Sequence, residues 1–372
     1  MTGFSDTDIH MMQTALSLAW QGRFSTSPNP RVGCVIAHGG QIVGQGFHLR
    51  AGEPHAEVHA LRQAGDWARG ATAYVTLEPC SHYGRTPPCA QALIEAGVGR
   101  VIAAMTDPNP LVAGKGLAML AAAGISAASG LLETEARALN RGFLSRIERK
   151  RPFVRLKCAA SLDGKTALSD GSSKWITGSN ARADVQVLRA QSCAVLTGIG
   201  TVLADNPQLN VRTFPTLRQP IRAILDSSLR TPLSSQLIQH SGSPTLILTC
   251  ANESHWQPYQ AFAHVTLIRL PENAGRIDLH AALGALAEAG CGEVMLEAGA
   301  TLNAAFLAAG LVDEIVLYQA PKILGDNARG LFKLPENAAA LSREPEWHTV
   351  SIEPLGEDIK WVLQPKHALP PF

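Results

Sequence analysis

The sequence has no excess of charge of one sign, no long apolar run and no cysteine pattern typical of a disulfide framework. Its 32 lysines and arginines nearly balance its 31 aspartates and glutamates. The chain therefore produces no long-range field that would attract a polyanion. We expect neither nucleic acid nor a membrane surface as its partner.

Export and membrane insertion are also disfavoured. Segment 1–9 carries two aspartates and no basic residue, so it lacks the basic start of a secretory signal. The most apolar stretch, 117–132, is interrupted by Gly124 and two serines, and it is shorter than the ~18 strongly apolar residues of a membrane span. Seven cysteines, an odd number in a long chain, fit a reducing compartment. We therefore expect a cytoplasmic protein.

The length and the order of predicted elements indicate two α/β domains. A chain of 372 residues is long enough for two domains of about 100 to 200 residues each. In the first part, helices are predicted at 8–21, 54–64, 87–96, 116–123 and 133–150, and strands at 32–36, 41–46, 71–77, 98–105 and 125–128. This alternation predicts a three-layer α/β domain.

A second series of strands and helices follows a basic segment at 149–152. Strands are predicted at 153–159, 194–197, 222–225, 245–249, 265–270, 293–296 and 314–318, and helices at 179–190, 279–289 and 301–309. We therefore place the first domain at 1–148 and the second at 149–372.

One group of residues in the first domain has the chemistry of a zinc site. His55, Cys80 and Cys89 supply the imidazole and thiolate ligands that zinc prefers. Three protein ligands are typical of a catalytic zinc, which keeps one position open for water. Glu57, two residues after His55, has the type and place of a proton shuttle. The pattern matches the signature of zinc deaminases, in which the glutamate of H-x-E is not a ligand.

The spacing departs from that signature, and a second interpretation stays open. Eight residues, SHYGRTPP, separate the two cysteines, where the general signature has two. His82 lies in this insertion, and as a fourth ligand it would make the site closed and structural. Lone cysteines are also often small buried core residues.

Residues 27–116 resemble the deaminase half of the bifunctional deaminase–reductases of riboflavin biosynthesis. The resemblance is carried by SPNPRVGCVI (27–36), GFHLRAGEPHAEVHAL (46–61), TLEPCSHYGRTPPC (76–89) and DPNPLVAGKG (107–116). The long insertion between the cysteines is characteristic of this family. The resemblance implies a cytidine-deaminase-like domain with zinc on His55, Cys80 and Cys89, and with Glu57 as its proton shuttle.

The same segments contain candidates for binding a substrate that carries a ribose phosphate. His82, Arg85 and Thr86 can donate hydrogen bonds, and a guanidinium is well suited to phosphate. Asn29 and His48 are candidates for contacts to the ring or the sugar. The alternative for each of these side chains is a solvated or locally capped loop residue.

Two turns in the second domain indicate a nucleotide-binding site. The G-x-G of Gly198 and Gly200 follows a predicted strand, but the third glycine of the Rossmann fingerprint is missing. Gly299 lies between the predicted strand 293–296 and the predicted helix 301–309. Backbone N–H groups at such a helix start can hold a pyrophosphate.

The second domain resembles the reductase half of the same family. The matching segments are RLKCAASLDGKTA (155–167), SKWITG (173–178), LRAQSCAVLTGIGTVLADNPQLNVR (188–212), LEAGATL (296–302) and LVDEIVLYQAPKILG (311–325). The resemblance implies a dihydrofolate-reductase-like domain that binds NADPH, and it explains the missing Rossmann fingerprint.

The same resemblance implies two sets of binding residues in this domain. The NADPH-binding residues are Ala159, Trp175, Thr201, Asp205, Gly299, Ala300, Thr301, Leu302, Asn303, Ala304 and Ala305. The substrate-binding residues are Lys157, Ser173, Arg189, Leu209, Arg212 and Glu297. Arg189 and Arg212 suit phosphate, and Asp205 and Glu297 can accept hydrogen bonds from sugar hydroxyls.

The resemblance implies two consecutive reactions on one chain. The first is hydrolytic deamination of 2,5-diamino-6-ribosylamino-4(3H)-pyrimidinone 5′-phosphate at a zinc ion, and the second is NADPH-dependent reduction of the ribosyl group to a ribityl chain. It also implies a homo-oligomer. Two alternatives stay open: a deaminase of a flipped base in tRNA, and a structural zinc module fused to a small-molecule-binding domain.

Overall fold

The computed structural model describes residues 3–82, 87–110, 112–334 and 346–366. The chain divides into two compact units on either side of the bond between Arg149 and Lys150. Within the described ranges, no helix combines the length and the apolar character that a bilayer crossing requires.

The first unit is built around one five-stranded sheet. Its elements are α1 (Asp6–Gln21), β1 (Gly33–His38), β2 (Gln41–Phe47), α2 (Ala56–Ala64), β3 (Thr72–Val75), α3 (Cys89–Glu95), β4 (Arg100–Ala103), α4 (Lys115–Ala122), β5 (Ser126–Ser129), α5 (Glu133–Leu139) and α6 (Arg141–Glu148), with 3-10 turns at Gly22–Phe24 and Gly65–Ala68. The strand order is β2-β1-β3-β4-β5. Strand β1 runs antiparallel to β2 and β3, whereas β3, β4 and β5 are parallel.

Helices cover both faces of this sheet, which confirms the predicted three-layer fold. Side chains of β1 alternate between two cores because successive residues of a strand point to opposite faces. On one face, Ile36 packs in a core with residues of α2, α3 and α4. On the other face, Val35 packs in a core with residues of α1, α5 and α6.

Two glycines of β2 bring α2 against the sheet at van der Waals distance. A Cβ atom at Gly44 would lie 2.2 Å from the carbonyl oxygen of Ala60, and one at Gly46 would lie 2.7 Å from that of Ala56. No larger residue fits at either position while the backbone stays in place. This close packing fixes the start of α2.

The predicted helix 133–150 is wrong in one respect, because Asn140 divides it into α5 and α6. The side chain of Asn140 accepts a hydrogen bond from the backbone N–H of Arg31 at 2.8 Å and donates one to its carbonyl oxygen at 2.9 Å. This long-range pair holds the loop that contains Asn29, and it explains the break better than local helix propensity does.

The second unit is built around a nine-stranded sheet. Its elements are β6 (Phe153–Ser161), β7 (Lys165–Ala167), α7 (Ser179–Gln191), β8 (Ala194–Gly198), α8 (Ile199–Asp205), β9 (Ile221–Leu225), α9 (Gln236–Gln239), β10 (Thr245–Thr249), β11 (Val265–Arg269), β12 (Glu272–Asn273), β13 (Arg276–Ile277), α10 (Leu279–Glu288), β14 (Glu293–Leu296), α11 (Ala300–Ala308), β15 (Glu314–Ala320), β16 (Arg329–Gly330), β17 (Trp347–Leu355) and β18 (Asp358–Pro365), with 3-10 turns at Glu253–His255 and Gln257–Tyr259.

Most strands in the sheet of the second unit run in the same direction. The order is β11-β10-β9-β8-β14-β6-β15-β18-β17. The strands from β11 to β15 are parallel, and β18 and β17 continue the sheet antiparallel. The carboxyl ends of the seven parallel strands therefore meet at the same edge, where open α/β sheets bind their ligands.

Candidate active sites

The three predicted zinc ligands of the first unit lie together. His55 immediately precedes α2, Cys80 follows β3, and Cys89 is the first residue of α3. The Nδ1 atom of His55 lies 3.2 Å from the sulfur of Cys89 and 3.7 Å from that of Cys80, and the three ligand atoms all lie within 4.8 Å of one another. Hydrogen bonds from Cys89 and His55 lower the pKa of the Cys80 thiol well below its ordinary range, which favours the thiolate that binds metal.

Residues 83–86 between the two cysteines fall outside the described part of the chain, so the predicted substrate residues Arg85 and Thr86 are not placed. His82 is described and exposed. Across the described ranges, one cluster has the geometry of a metal site, and it contains His55, Cys80 and Cys89 without His82. This arrangement favours an open, three-ligand site over a closed structural one.

Glu57 lies in the first turn of α2 with only 3% of its surface exposed. Burial raises the pKa of its carboxyl to about 7, although the nearby His55 opposes that rise. In the described part of the chain its Oε2 atom has no hydrogen-bond partner. A buried carboxyl with a free oxygen and a pKa near neutrality is suited to taking up and releasing a proton.

Asn29 and His48 form a fixed pair next to the zinc ligands. The Nδ1 atom of His48 lies 3.2 Å from the carbonyl oxygen of Pro54, and its Nε2 atom lies 3.1 Å from Nδ2 of Asn29. Burial lowers the pKa of His48, so the ring is neutral and Nδ1 donates while Nε2 accepts. The Asn29 amide then donates to His48, and its carbonyl oxygen remains available as an acceptor.

The second unit contains a large cleft at the carboxyl edge of its parallel strands. It measures about 1790 Å³ and is lined from β6 to the segment after β16. The predicted cofactor residues on its walls are Ala159, Trp175, Thr201, Asp205, Gly299, Ala300, Thr301, Leu302, Asn303 and Ala305. The predicted substrate residues on its walls are Lys157, Ser173, Arg189, Leu209, Arg212 and Glu297. Ala304 is buried in α11 and is not part of the lining.

Arg189 and Glu297, both predicted to contact the substrate, bind each other in this cleft. Two N–H groups of Arg189 donate to the two carboxylate oxygens of Glu297 at 2.7 and 3.0 Å, and a third donates to the carbonyl oxygen of Asn210 at 3.0 Å. Lys157 Nζ lies 3.8 Å from the same carboxylate. Burial opposes ionisation of Glu297, but Arg189 and Lys157 lower the pKa of its carboxyl to about 2. The fork of Arg189 is therefore largely occupied by Glu297.

Arg212 complements this pair. Its side chain is exposed in the cleft and close enough to help lower the pKa of Glu297. Three cations, Lys157, Arg189 and Arg212, thus surround a single carboxylate. The excess positive charge favours an anionic group of a ligand at this end of the cleft.

Sequence reasoning missed much of the positive charge in the cleft. Its lysines and arginines are Lys157, Lys174, Arg182, Arg189, Arg212, Arg230, Arg276, Arg329 and Lys333, and its carboxylates are Asp205, Asp278 and Glu297. Nine cations against three anions match a ligand with several phosphate charges. Arg230 could have been predicted from its position alone, because it follows the carboxyl end of β9.

Known protein families match both units of the chain. The cytidine and deoxycytidylate deaminase zinc-binding region matches residues 5–105, and the RibD C-terminal domain matches residues 152–361. The riboflavin biosynthesis protein RibD of Escherichia coli K12 is 50% identical over 364 residues, which cover 95% of this chain and 98% of the relative. The chain belongs to the RibD family.

Other members give the same result. The RibD protein of Haemophilus influenzae is 49% identical over 98% of this chain and 100% of its own length. A solved structure of Acinetobacter baumannii RibD superposes with a TM-score of 0.90 at 46% identity, covering 97% of this chain and 99% of that one. A Thermotoga maritima structure, named a diaminohydroxyphosphoribosylaminopyrimidine deaminase/5-amino-6-(5-phosphoribosylamino)uracil reductase, gives 0.86 at 34% identity, covering 96% and 99%.

Membership in this family makes the chain a bifunctional enzyme of riboflavin biosynthesis, with a zinc-dependent deaminase activity and an NADPH-dependent reductase activity. The predicted combination of a deaminase-like and a reductase domain is confirmed. The donor set of His55, Cys80 and Cys89 fits zinc, and the basic cleft of the second unit fits a phosphorylated dinucleotide.

Proposed function

We propose that residues 1–148 deaminate 2,5-diamino-6-ribosylamino-4(3H)-pyrimidinone 5′-phosphate and that residues 149–372 then reduce its ribosyl group to a ribityl chain. The cluster of His55, Cys80 and Cys89 beside a buried Glu57 is the observation that carries the first half of the proposal. The substrate and the order of the two steps come from the family to which the chain belongs.

The first unit supplies positioned groups for a hydrolytic deamination. His55, Cys80 and Cys89 would hold the zinc ion, which would lower the pKa of a water molecule and so make it the nucleophile. Glu57 would take up one proton of the attacking water on its free Oε2 and deliver it to the ring nitrogen next to the reacting carbon. It would then move the other proton of that water to the departing amine, which leaves as ammonia. Water is consumed, ammonia leaves, and a carbonyl group replaces the amine.

Asn29 and His48 serve this step by orienting the substrate. Because the Asn29 amide donates to His48, its oxygen can accept a hydrogen bond from an N–H group of the ring or from a hydroxyl of the sugar. His82, Arg85 and Thr86, in the insertion between the cysteines, are proposed to bind the ribose phosphate.

The second unit positions two ligands for the reduction. NADPH supplies the hydride, and the protein supplies orientation. The proposed cofactor residues are those at 159, 175, 201, 205, 299–303 and 305, which line the cleft. Arg212 and Lys157 are proposed to bind the substrate phosphate, and Arg189 and Glu297 act as a joined pair that holds the wall on which they lie.

The proposed partner is one small phosphorylated pyrimidine, without nucleic acid or membrane. We further propose a cytoplasmic homo-oligomer, whose mass in solution is measurable by light scattering. The balance of charges over the whole chain supports the absence of a polyanionic partner.

The proposal is tested with purified protein, the diaminopyrimidine phosphate and mass spectrometry. Without NADPH we expect a product one mass unit heavier than the substrate, because an amine is replaced by an oxygen. With NADPH we expect a further gain of two mass units. A substrate of unchanged mass in the absence of NADPH would contradict the proposed first step, and deamination of tRNA in a parallel assay would support the nucleic-acid alternative.

A further inference from the structure

Glu78 is a buried carboxylate that neither the zinc ligands nor the proton shuttle explains. It lies two residues before Cys80, and 3% of its surface is exposed. Its own backbone N–H donates to the carbonyl oxygen of Met105 at 3.0 Å. Charged side chains are rarely buried to this extent without partners, so its contacts indicate what it holds.

Four backbone N–H groups of one stretch of chain, the capping segment (residues 107–110 and 112–117), donate hydrogen bonds to this carboxylate. Its Oε2 atom accepts hydrogen bonds from Asp107 at 3.1 Å and from Gly114 at 2.9 Å. Its Oε1 atom accepts from Gly116 at 2.8 Å and from Leu117 at 3.3 Å. Two of these donors belong to the first turn of α4, where N–H groups have no partner within the helix.

The capping segment also touches the backbone next to the metal ligand. A Cβ atom at Gly116 would lie 2.0 Å from the carbonyl oxygen of Pro79, so α4 approaches this peptide as closely as a glycine allows. Pro79 separates Glu78 from Cys80. The segment that precedes Cys80 is therefore held by the capping segment in two ways, by four hydrogen bonds to Glu78 and by direct packing against Pro79.

We infer that Glu78 is a positioning residue of the deaminase site, which fixes the Pro79–Cys80 segment to the start of α4 and so determines where the Cys80 sulfur lies. The inference rests on the proposed zinc site at His55, Cys80 and Cys89. Groups that orient metal ligands from outside the coordination sphere contribute strongly to metal affinity. The Glu78 carboxylate acts in this way through the backbone.

Asp8 provides a matched control for a purely structural role. It is also a buried carboxylate of the first unit and also accepts four hydrogen bonds, from the backbone N–H of Ser5, the hydroxyl of Tyr74 and two N–H groups of Arg100. It lies on α1, which packs against the face of the sheet opposite to α2 and α3. Its loss should destabilise the fold without moving the zinc ligands.

The test compares the full-length wild type with Glu78→Gln, Glu78→Asp and Asp8→Asn. Each protein is stripped of metal and titrated with Co²⁺, whose visible absorption reports the geometry of its ligands, and with Zn²⁺ against a chelator. For Glu78→Gln we expect a shifted cobalt spectrum and a zinc affinity lower by about 10- to 100-fold, because an amide N–H now faces backbone N–H groups. Glu78→Asp, which keeps the charge, should recover part of the affinity.

Asp8→Asn should lower the melting temperature and leave both metal readouts as in the wild type. The inference is overturned if Glu78→Gln binds both metals like the wild type, or if Asp8→Asn changes the spectrum as much as Glu78→Gln does. Should Glu78→Gln fail to fold, Gly116→Ala tests the same coupling with the carboxylate intact, and an unchanged cobalt spectrum in that variant overturns it as well. A wild type that binds neither metal contradicts the proposed zinc site itself.

Discussion

The two sites of this chain differ in how they are built. The deaminase site brings its three ligand atoms within 4.8 Å of one another, and the ends of a few short elements supply them. The reductase cleft occupies about 1790 Å³ and takes its lining from segments scattered between Lys157 and Lys333. Site chemistry that depends on a few adjacent residues leaves a local pattern in a sequence, whereas a cleft assembled from many strand ends does not.

The largest difference between the two sites is expected when a zinc ligand is removed, because only the deaminase activity should then be lost. Cys80→Ser replaces a thiolate by a hydroxyl that does not ionise at neutral pH, so we expect loss of bound zinc and of ammonia release. NADPH oxidation with the deaminated intermediate should continue at the rate of the wild type. Metal analysis and the two separate assays measure this, and loss of both activities together would show that the sites are not independent.

Glu57→Gln should have the next largest effect. The variant keeps the three ligands but removes the proton-accepting oxygen, and general acid–base catalysis typically contributes about 10²- to 10⁴-fold. We expect kcat for deamination to fall by that factor while the zinc content stays at one ion per chain. Deamination at the wild-type rate by the zinc-loaded variant would remove Glu57 from the mechanism.

Arg189→Ala tests the structural pair in the cleft. Removing one partner of a buried ion pair leaves the other charge uncompensated, which costs about 3–5 kcal/mol. We expect the lower end of that range, because Lys157 and Arg212 remain near Glu297. Chemical denaturation should show the loss in the second unit, with a raised KM for the reductase substrate. A raised KM with unchanged stability would instead indicate a direct phosphate contact.

The pH dependence of the unfolding free energy is an independent test of the ion pair between Arg189 and Glu297. The pKa of the Glu297 carboxyl is lowered from 4.5 to about 2 in the folded protein, so ionised Glu297 stabilises the fold above pH 4.5. This contribution is lost as the pH falls from 4.5 toward 2. Unfolding free energies of the wild type and of Glu297→Gln should therefore converge over that range. Parallel curves would contradict the charge role of Glu297.

Trp175→Ala should have the smallest effect of the series. The indole is 62% exposed at the cleft, and the guanidinium of Arg182 lies 4.8 Å from its ring centre. Aromatic stacking contributes about 0.5–1.5 kcal/mol, so we expect KM for NADPH to rise by about 2- to 12-fold with kcat unchanged. An unchanged KM would contradict a contact between Trp175 and NADPH, and only its contact with Arg182 would then remain.

The cluster of His55, Cys80 and Cys89 could be predicted from the sequence because its members belong to short motifs at element ends. His55 and Glu57 are placed by one helix start, and Cys89 by another. The role of Glu78 could not be predicted, because its partners are backbone N–H groups 29 to 39 residues away. Every residue except proline has such a group, so the identity of the donor residue gives no signal in the sequence.

Other parts of the fold were missed for related reasons. Strands β17 and β18 form a hairpin at the edge of the sheet, in which β17 is mostly exposed and β18 mostly half-buried. Neither strand has the continuous buried apolar run by which the inner parallel strands are recognised. The break at Asn140 and the pairing of Arg189 with Glu297 both depend on residues more than 100 positions apart. Such contacts follow from the fold and not from local propensity.

The most direct test of the account is X-ray absorption at the zinc edge of the full-length protein. We predict two sulfur ligands, one imidazole and one further light atom that is not part of an imidazole. Two imidazoles, or a purified protein that holds and binds no zinc, would contradict an open site on His55, Cys80 and Cys89.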